Sequence, residues 1–307
     1  MALRSSALPL IVAGALSAAC GGHAPPRTHT PEQGTSTIEA NGIRFAYYAD
    51  GNPADPLVLL IHGFPDTAHA WDDLRPRIAA QGYYVVSPFT RGYGPSVAPD
   101  GAKFDAESLG KDALALIDAF GKEHAVIVGH DWGAVAAYSA AALDPAKVDK
   151  LAILAIPNPG TIKLRVRDLY GARHFVALKK KRAHKRVRRN DYAYVDKLYK
   201  RWSPEWSFSP NDVDDVKNSF AHPGSLQAAL GYYRDLPLKT AEFLKAPTQV
   251  PVLVIAGRSD GTVPITAYDN EAGFAAGRQL EKLDAGHFPH REQPEQFLAF
   301  LLAFLKQ

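Results

Sequence analysis

Ile127-Val128-Gly129-His130-Asp131-Trp132-Gly133 joins an apolar run, Ala125-Val126-Ile127-Val128, to a run of small residues from Ala134 to Leu143. The pattern reads as strand, sharp turn, helix. Glycines at 129 and 133 flank one reactive side chain, and only glycine lets strand and helix approach so closely. Asp131 is open to two readings. A carboxylate at a strand–helix junction is a common helix N-cap. It is also a nucleophile: a carboxylate that attacks a saturated carbon forms an ester, which water can cleave, whereas a serine would form an ether there. The second reading points to epoxide opening or carbon–halogen cleavage.

Outward from this stretch the chain alternates strand and helix. Thr37 to Tyr48 holds two strand patterns around Asn41-Gly42, a hairpin signal. Leu57-Val58-Leu59-Leu60-Ile61 is uniformly apolar, as a strand buried on both faces would be. The spacing predicts a helix over 68–80, a strand over 83–88, a helix over 106–120 and a strand over 148–156. After Pro157-Asn158-Pro159-Gly160 the chain turns helical, aromatic and basic. Residues 163–201 hold fifteen Lys and Arg against three Asp. Strand character returns at 250–255, followed by a predicted helix, a strand at 279–283 and an amphipathic helix over 294–305. This order predicts an α/β fold with a mostly parallel, doubly wound sheet over 37–156 and 237–307, and an inserted helical cap over 157–236.

With 307 residues, 46% of them hydrophobic, the chain can bury a large core. A net charge of +3 gives little support to nucleic-acid binding. The one cysteine is Cys20. Residues 1–20 read as an export signal: Arg4, the apolar segment Ala7 to Leu16, then Ser17-Ala18-Ala19-Cys20. Small residues before the cysteine are similar to a lipoprotein signal, with Cys20 as the lipid acceptor, although Leu16 lies one position too far from it. Ordinary signal cleavage near Ala19 is the other reading. Residues 21–36 read as a flexible tether reaching at most roughly 50 Å. Export, with or without a lipid anchor, is the expected localisation. The basic stretch from Lys179 to Arg189 is either a solvated helix face or a surface for anionic headgroups. Oligomeric state is not legible.

An ester-forming aspartate needs a base to activate water, an acid to orient that base, and donors for the oxyanion. His287, in Asp284-Ala285-Gly286-His287-Phe288-Pro289, follows a strand; so does Asp260, in Gly257-Arg258-Ser259-Asp260-Gly261. Nucleophile, acid and base then fall in the order Asp131, Asp260, His287. The backbone N–H groups of Phe64 and Trp132 are the expected oxyanion donors. Rivals are weaker: His62 reads as shaping the Phe64 loop, His290 as a surface residue, Asp269 as part of a helix, and Asp284 as too near the base.

His62-Gly63-Phe64-Pro65, Gly129-His130-Asp131-Trp132-Gly133, Asp260 and Gly286-His287-Phe288 resemble the epoxide hydrolase and haloalkane dehalogenase branch of the α/β-hydrolases. The resemblance covers about 37–307 and implies an inserted cap, a small hydrophobic epoxide or halide substrate, no metal and no organic cofactor. It implies that Tyr233, in Tyr232-Tyr233-Arg234-Asp235, donates to an epoxide oxygen, with Trp132 and Tyr232 near the substrate. Where the family places a first cap tyrosine this chain has Arg173-His174-Phe175, so Tyr170 and His174 are the candidates there. Halide-binding relatives often carry Asn where this chain has Phe64, which favours the epoxide reading over the dehalogenase. A non-catalytic ligand binder on the same fold is a further alternative.

Overall fold

The computed structural model describes residues 34–161, 173–237 and 239–307. The expected export segment with Cys20, all but the end of the tether, and Tyr170 lie outside the described residues. Among the described residues eight strands form one sheet in the order β1-β2-β4-β3-β5-β6-β7-β8. They are β1 (Ser36–Ala40), β2 (Ile43–Asp50), β3 (Leu57–Ile61), β4 (Tyr84–Pro88), β5 (Ala125–His130), β6 (Val148–Leu154), β7 (Val252–Gly257) and β8 (Arg278–Leu283). β1 and β2 pair antiparallel across Asn41 and Gly42, whose positive φ angles (48° and 70°) suit a two-residue hairpin. β2 meets β4 antiparallel, and the remaining pairs are parallel.

Alternation sorts the strand residues to two faces. Leu57, Leu59, Ile61 and Ile127 pack toward α2 (Ala106–Ala119) and α3 (Trp132–Leu143). Val58, Leu60, Val126 and Val128 pack toward α1 (Arg75–Ala79) and α10 (Pro294–Leu305), against Trp71, Ile78, Phe297 and Leu301. Each fully buried aliphatic side chain of this kind contributes about 1.5–3 kcal/mol. α3 is rich in alanine and lies very close to the strands. A Cβ on Gly133 would sit 2.1 Å from the Ile61 carbonyl oxygen, and one on Gly129 would sit 2.3 Å from that of Gly133. The chain leaves β3 toward β4 on one side, then crosses back to β5 on the other. That reversal opens a crevice at the carboxyl ends of β3 and β5, where such sheets place their sites.

Three expectations are corrected. The helix over 68–80 is broken into a 3-10 turn (Ala68–Trp71) and α1, because Pro76 has no N–H to continue the ladder. β6 stops at Leu154, where Ala155 takes a φ of 62° and turns the chain. The helix after β7 is only a 3-10 turn (Ile265–Tyr268), in a stretch punctuated by Gly261, Pro264 and Gly273.

Between β6 and β7 lie α4 (Arg173–Lys179), α5 (Ala183–Trp202), α6 (Asn211–Ala221), α7 (Ser225–Ala229) and α8 (Gly231–Arg234). α5 is interrupted at Arg189 to Tyr192, where three consecutive residues take positive φ. This helical cap shares the core: Val195, Leu198, Trp202, Val213, Val216 and Phe220 are buried with the α2–α3 side of the sheet. Hydrogen bonds tie it down. Tyr199 Oη donates to the Pro65 carbonyl (3.0 Å), Ser219 Oγ to that of Gly94 (2.8 Å) and Tyr232 Oη to that of Arg91 (2.9 Å). α9 (Pro289–Glu292) follows the loop that carries His287. No helix among the described residues is long and apolar enough to cross a membrane.

Candidate active site

Asp131 sits between β5 and α3 with φ 51° and ψ −116°, a conformation that costs on the order of 1–3 kcal/mol and persists only where its surroundings enforce it. The enforcement is the close contact of α3 with β3 and β5. The turn aims the carboxylate over the sheet end. Oδ1 accepts the Phe64 N–H (2.8 Å), and Oδ2 lies 3.5 Å from His287 Nε2. Trp132 begins α3, so its N–H belongs to the unpaired helix start beside the same carboxylate.

His287 is buried between two acids. Its Nδ1 is 2.9 Å from Asp260 Oδ2. Asp260 is fixed in turn, accepting at Oδ1 from the Thr262 N–H and Thr262 Oγ1, both at 2.7 Å. Burial alone would lower the His287 pKa; Asp260, by its charge and its hydrogen bond, and the nearby Asp131 carboxylate outweigh it and push the imidazole up to about 10. For Asp131, burial works against ionisation, and the neighbouring His287 overcomes it, with the Phe64 N–H adding to the effect and the carboxyl held below its ordinary value. Asp131 and Asp260 thus flank a buried imidazole and favour its protonated form.

The side chains around Asp131 are aromatic. The Tyr233 ring stands edge-on to Phe64 (5.1 Å) and Trp132 (5.4 Å). Its hydroxyl is buried without a hydrogen bond of good geometry. Burial raises its pKa well above the usual phenol range and the Asp131 charge adds to this, while the Trp132 indole acts against it. His174, on α4, is buried beside Trp202 (4.8 Å) and Tyr233 (6.0 Å). Phe175 completes that wall, 5.4 Å from Tyr233.

The structure thus brings together Asp131, Asp260, His287, Phe64, Trp132, Tyr233 and His174. It does not offer Tyr232 as a free donor, since that hydroxyl is bonded to the Arg91 carbonyl. Tyr170 lies outside the described residues. Among the rivals, Asp269 ends the 3-10 turn and pairs with Lys282 (3.0 Å), and Asp284 is exposed beside Arg258. His62 is buried with Nδ1 on the Gly63 carbonyl (2.9 Å), and its Nε2 accepts from the Thr90 N–H (3.0 Å). His290 is corrected: it is not a surface residue but is 1% exposed, stacked on Trp71 at 4.4 Å.

Sequence reasoning missed the groups that hold His287. The His287 N–H donates to Ser203 Oγ (2.9 Å) and to the Trp202 carbonyl (3.2 Å), both at the end of α5. Glu292 accepts from the Gly286 N–H (2.7 Å), the Phe288 N–H (2.9 Å) and Ser203 Oγ (2.6 Å). Glu292, five residues after His287, could have been found as a local loop clamp. Nothing local marks Trp202 or Ser203.

Comparison with known proteins places the chain among relatives. Residues 56–294 match the family model described as the alpha/beta hydrolase fold. Epoxide hydrolase A of Mycobacterium tuberculosis is 30% identical, over 87% of this chain and 96% of that protein. The AB hydrolase superfamily protein YfhM of Bacillus subtilis is 30% identical, over 88% of this chain and 96% of that protein. Among solved structures, an epoxide hydrolase from Bacillus megaterium, complexed with its diol product, superposes with a TM-score of 0.78 at 25% identity, covering 89% of this chain and all of that one. The family model spans most of the chain and a 30% identical epoxide hydrolase is covered nearly end to end: the chain belongs to the α/β-hydrolase fold family, in the branch of the epoxide hydrolases.

Proposed function

We propose that this hydrolase adds water to an epoxide through an ester on Asp131, giving a vicinal diol. The observation that carries the reading is the placement of one carboxylate: Asp131 has Oδ1 on the Phe64 N–H and Oδ2 3.5 Å from an imidazole held by Asp260. Oδ1 is engaged by the amide, so Oδ2 is the attacking atom. It bonds to a ring carbon, the ring C–O bond breaks, and the Tyr233 hydroxyl protonates the leaving oxygen. A phenol with a raised pKa stays protonated until that oxygen becomes an alkoxide.

Ester formation also prepares the base. The carboxylate of Asp131 becomes neutral, so His287 loses one of the two charges that keep it protonated. Its proton passes to Tyr233 and restores the phenol. Neutral His287 then takes a proton from water, whose oxygen attacks the Asp131 Cγ. Negative charge gathers on Oδ1 against the Phe64 and Trp132 amides. The Cγ–Oδ2 bond breaks, and the new carboxyl proton goes to the departing alkoxide. Diol, carboxylate and imidazolium remain, and the balance is one epoxide and one water per diol.

Turnover in oxygen-18 water, followed by mass spectrometry of the peptide containing Asp131, tests this. The label is expected in the Asp131 carboxylate, and an unlabelled carboxylate after many turnovers overturns the ester. Release of halide from alkyl halides by an enzyme inert toward epoxides would transfer the same chemistry to a dehalogenase.

The chain is exported and held at a membrane surface in this reading, through a lipid on Cys20 and the cationic cap face. Support comes from the sequence of residues 1–20 and from Lys180, Lys181, Arg182, Lys185, Arg188 and Arg189, all exposed and without an acidic partner among the described residues. Sedimentation with phosphatidylglycerol vesicles is expected for protein lacking residues 1–36 and is lost at high salt. Salt-independent binding, or none, refutes the role of the cap face.

A further inference from the structure

Behind the base, Asp66, His130 and His290 converge from three parts of the chain. They are 2%, 0% and 1% exposed. Their ligating atoms lie within 4.8 Å of one another, and Asp66 Oδ2 is 4.0 Å from His290 Nε2. Asp66 Oδ2, His130 Nδ1 and both ring nitrogens of His290 are without hydrogen-bond partners among the described residues. Leaving a buried polar atom unsatisfied costs about 1–3 kcal/mol, so the cluster is built around something.

The distances identify it. Ligands of a transition-metal ion lie about 2.0–2.2 Å from it and so roughly 3.3 Å from one another. Partners of a water lie about 2.8–2.9 Å from it and so roughly 4.6 Å apart. The 4.0 Å between Asp66 Oδ2 and His290 Nε2 exceeds the roughly 3.3 Å of two tetrahedral metal ligands, and a water spans it at a narrowed angle. A cation would also face the Arg291 guanidinium, which lies 3.4 Å from the other oxygen of Asp66.

The hydrogen count closes as well. His130 Nε2 is 2.8 Å from the His287 carbonyl oxygen. That oxygen can only accept, so Nε2 carries the proton and Nδ1 is a lone pair. A water that donates to His130 Nδ1 and Asp66 Oδ2, and accepts from His290 Nε2–H, satisfies one atom of each residue. About three such bonds is the usual number for a buried water.

We propose that Asp66, His130 and His290 enclose one ordered water, and that this water, acting through His130, positions the backbone of His287. The His287 peptide is then set at both ends: its N–H by the end of α5, its carbonyl by the water-bound His130. All three are positioning residues. The kinetic consequence rests on the ester reading above: alkylation uses Asp131 and Tyr233, whereas ester cleavage depends on the aim of the His287 imidazole.

The test uses the full chain and single-turnover reaction with styrene oxide, quenched at intervals, with the Asp131 ester followed by mass spectrometry. His290→Leu removes the donor. Ester formation should stay within about twofold of the parent, and ester cleavage should slow on the order of tenfold, so that ester accumulates. His290→Gln, which keeps an N–H donor, should recover most of the cleavage rate. If His290→Leu does not fold, His290→Met takes its place. A crystal structure at a resolution that shows solvent should place one water in contact with all three residues. A metal there, or density for neither, overturns the site. Equal slowing of both steps, or of neither, overturns the positioning role while the ester on Asp131 stands. A parent enzyme that forms no ester overturns the functional reading and the kinetic role together.

Discussion

Gly63→Ala should disable Asp131 without adding or removing a charge. A Cβ at position 63 would lie 2.5 Å from Asp131 Cβ and 2.6 Å from both Asp131 Oδ1 and the His130 carbonyl oxygen. Ordinary contact begins at 3.4 Å, so something must move by about 0.8–0.9 Å. Part of what it meets is backbone and cannot swing aside, so the movement falls on Asp131, whose Oδ1 also leaves the Phe64 amide. A displacement near 1 Å costs a reaction on the order of 100-fold. Pre-steady-state ester formation on an epoxide should therefore fall by about two orders of magnitude, with an overpacking cost to stability of about 1–3 kcal/mol. Gly82→Ala is the control: position 82 has a φ of 87°, open space around it, and lies before β4 at the opposite end of the sheet. That variant should lose on the order of 1 kcal/mol of stability and none of the ester-forming rate. A Gly63→Ala enzyme that forms ester within about threefold of the parent rate would refute the assignment of Oδ2 as attacking atom and Oδ1 as the amide-held oxygen.

Tyr233→Phe should slow ester formation on the order of 100-fold in rapid quench, while the melting temperature holds or rises, because the lost hydroxyl has no hydrogen bond of good geometry. The folded pKa of His287, about 10, stands above its ordinary 6.5, so its contribution to stability is complete below 6.5 and is lost as pH rises through 10. Urea melts between these values should show that loss in the parent and not in His287→Gln. Arg91→Leu breaks a buried pair with Asp112 (2.5 Å) and should cost about 3–5 kcal/mol in the same melts.

The parts of this site readable from the sequence are those whose chemistry and geometry lie in one short stretch. Gly129, Asp131 and Gly133 announce a tight strand–helix turn, and Asp260 and His287 stand just past strands. The hairpin at Asn41-Gly42 was legible for the same reason. What was not legible depends on contacts between distant segments. His290 leads into the polar stretch Arg291-Glu292-Gln293, yet the Trp71 ring and α10 close over it. Tyr232 and Tyr233 are adjacent and identical in type, and only the fold sends one hydroxyl to the Arg91 carbonyl. Trp202 and Ser203 hold the His287 N–H through a backbone carbonyl and a small hydroxyl, which no periodicity reports.

The end of α5 gives the cap a second duty. A cap that hinged away as one rigid body would strip the imidazole's own residue of both acceptors for its amide, so each opening would dismantle the hydrolytic machinery. Product must then leave by movement of other cap segments, while the Trp202–Ser203 stretch stays seated. For anyone recombining caps between relatives to change substrate range, the safe splice lies on the far side of that stretch: a foreign cap joined before Trp202 inherits the base's mooring, and one joined after it must bring its own.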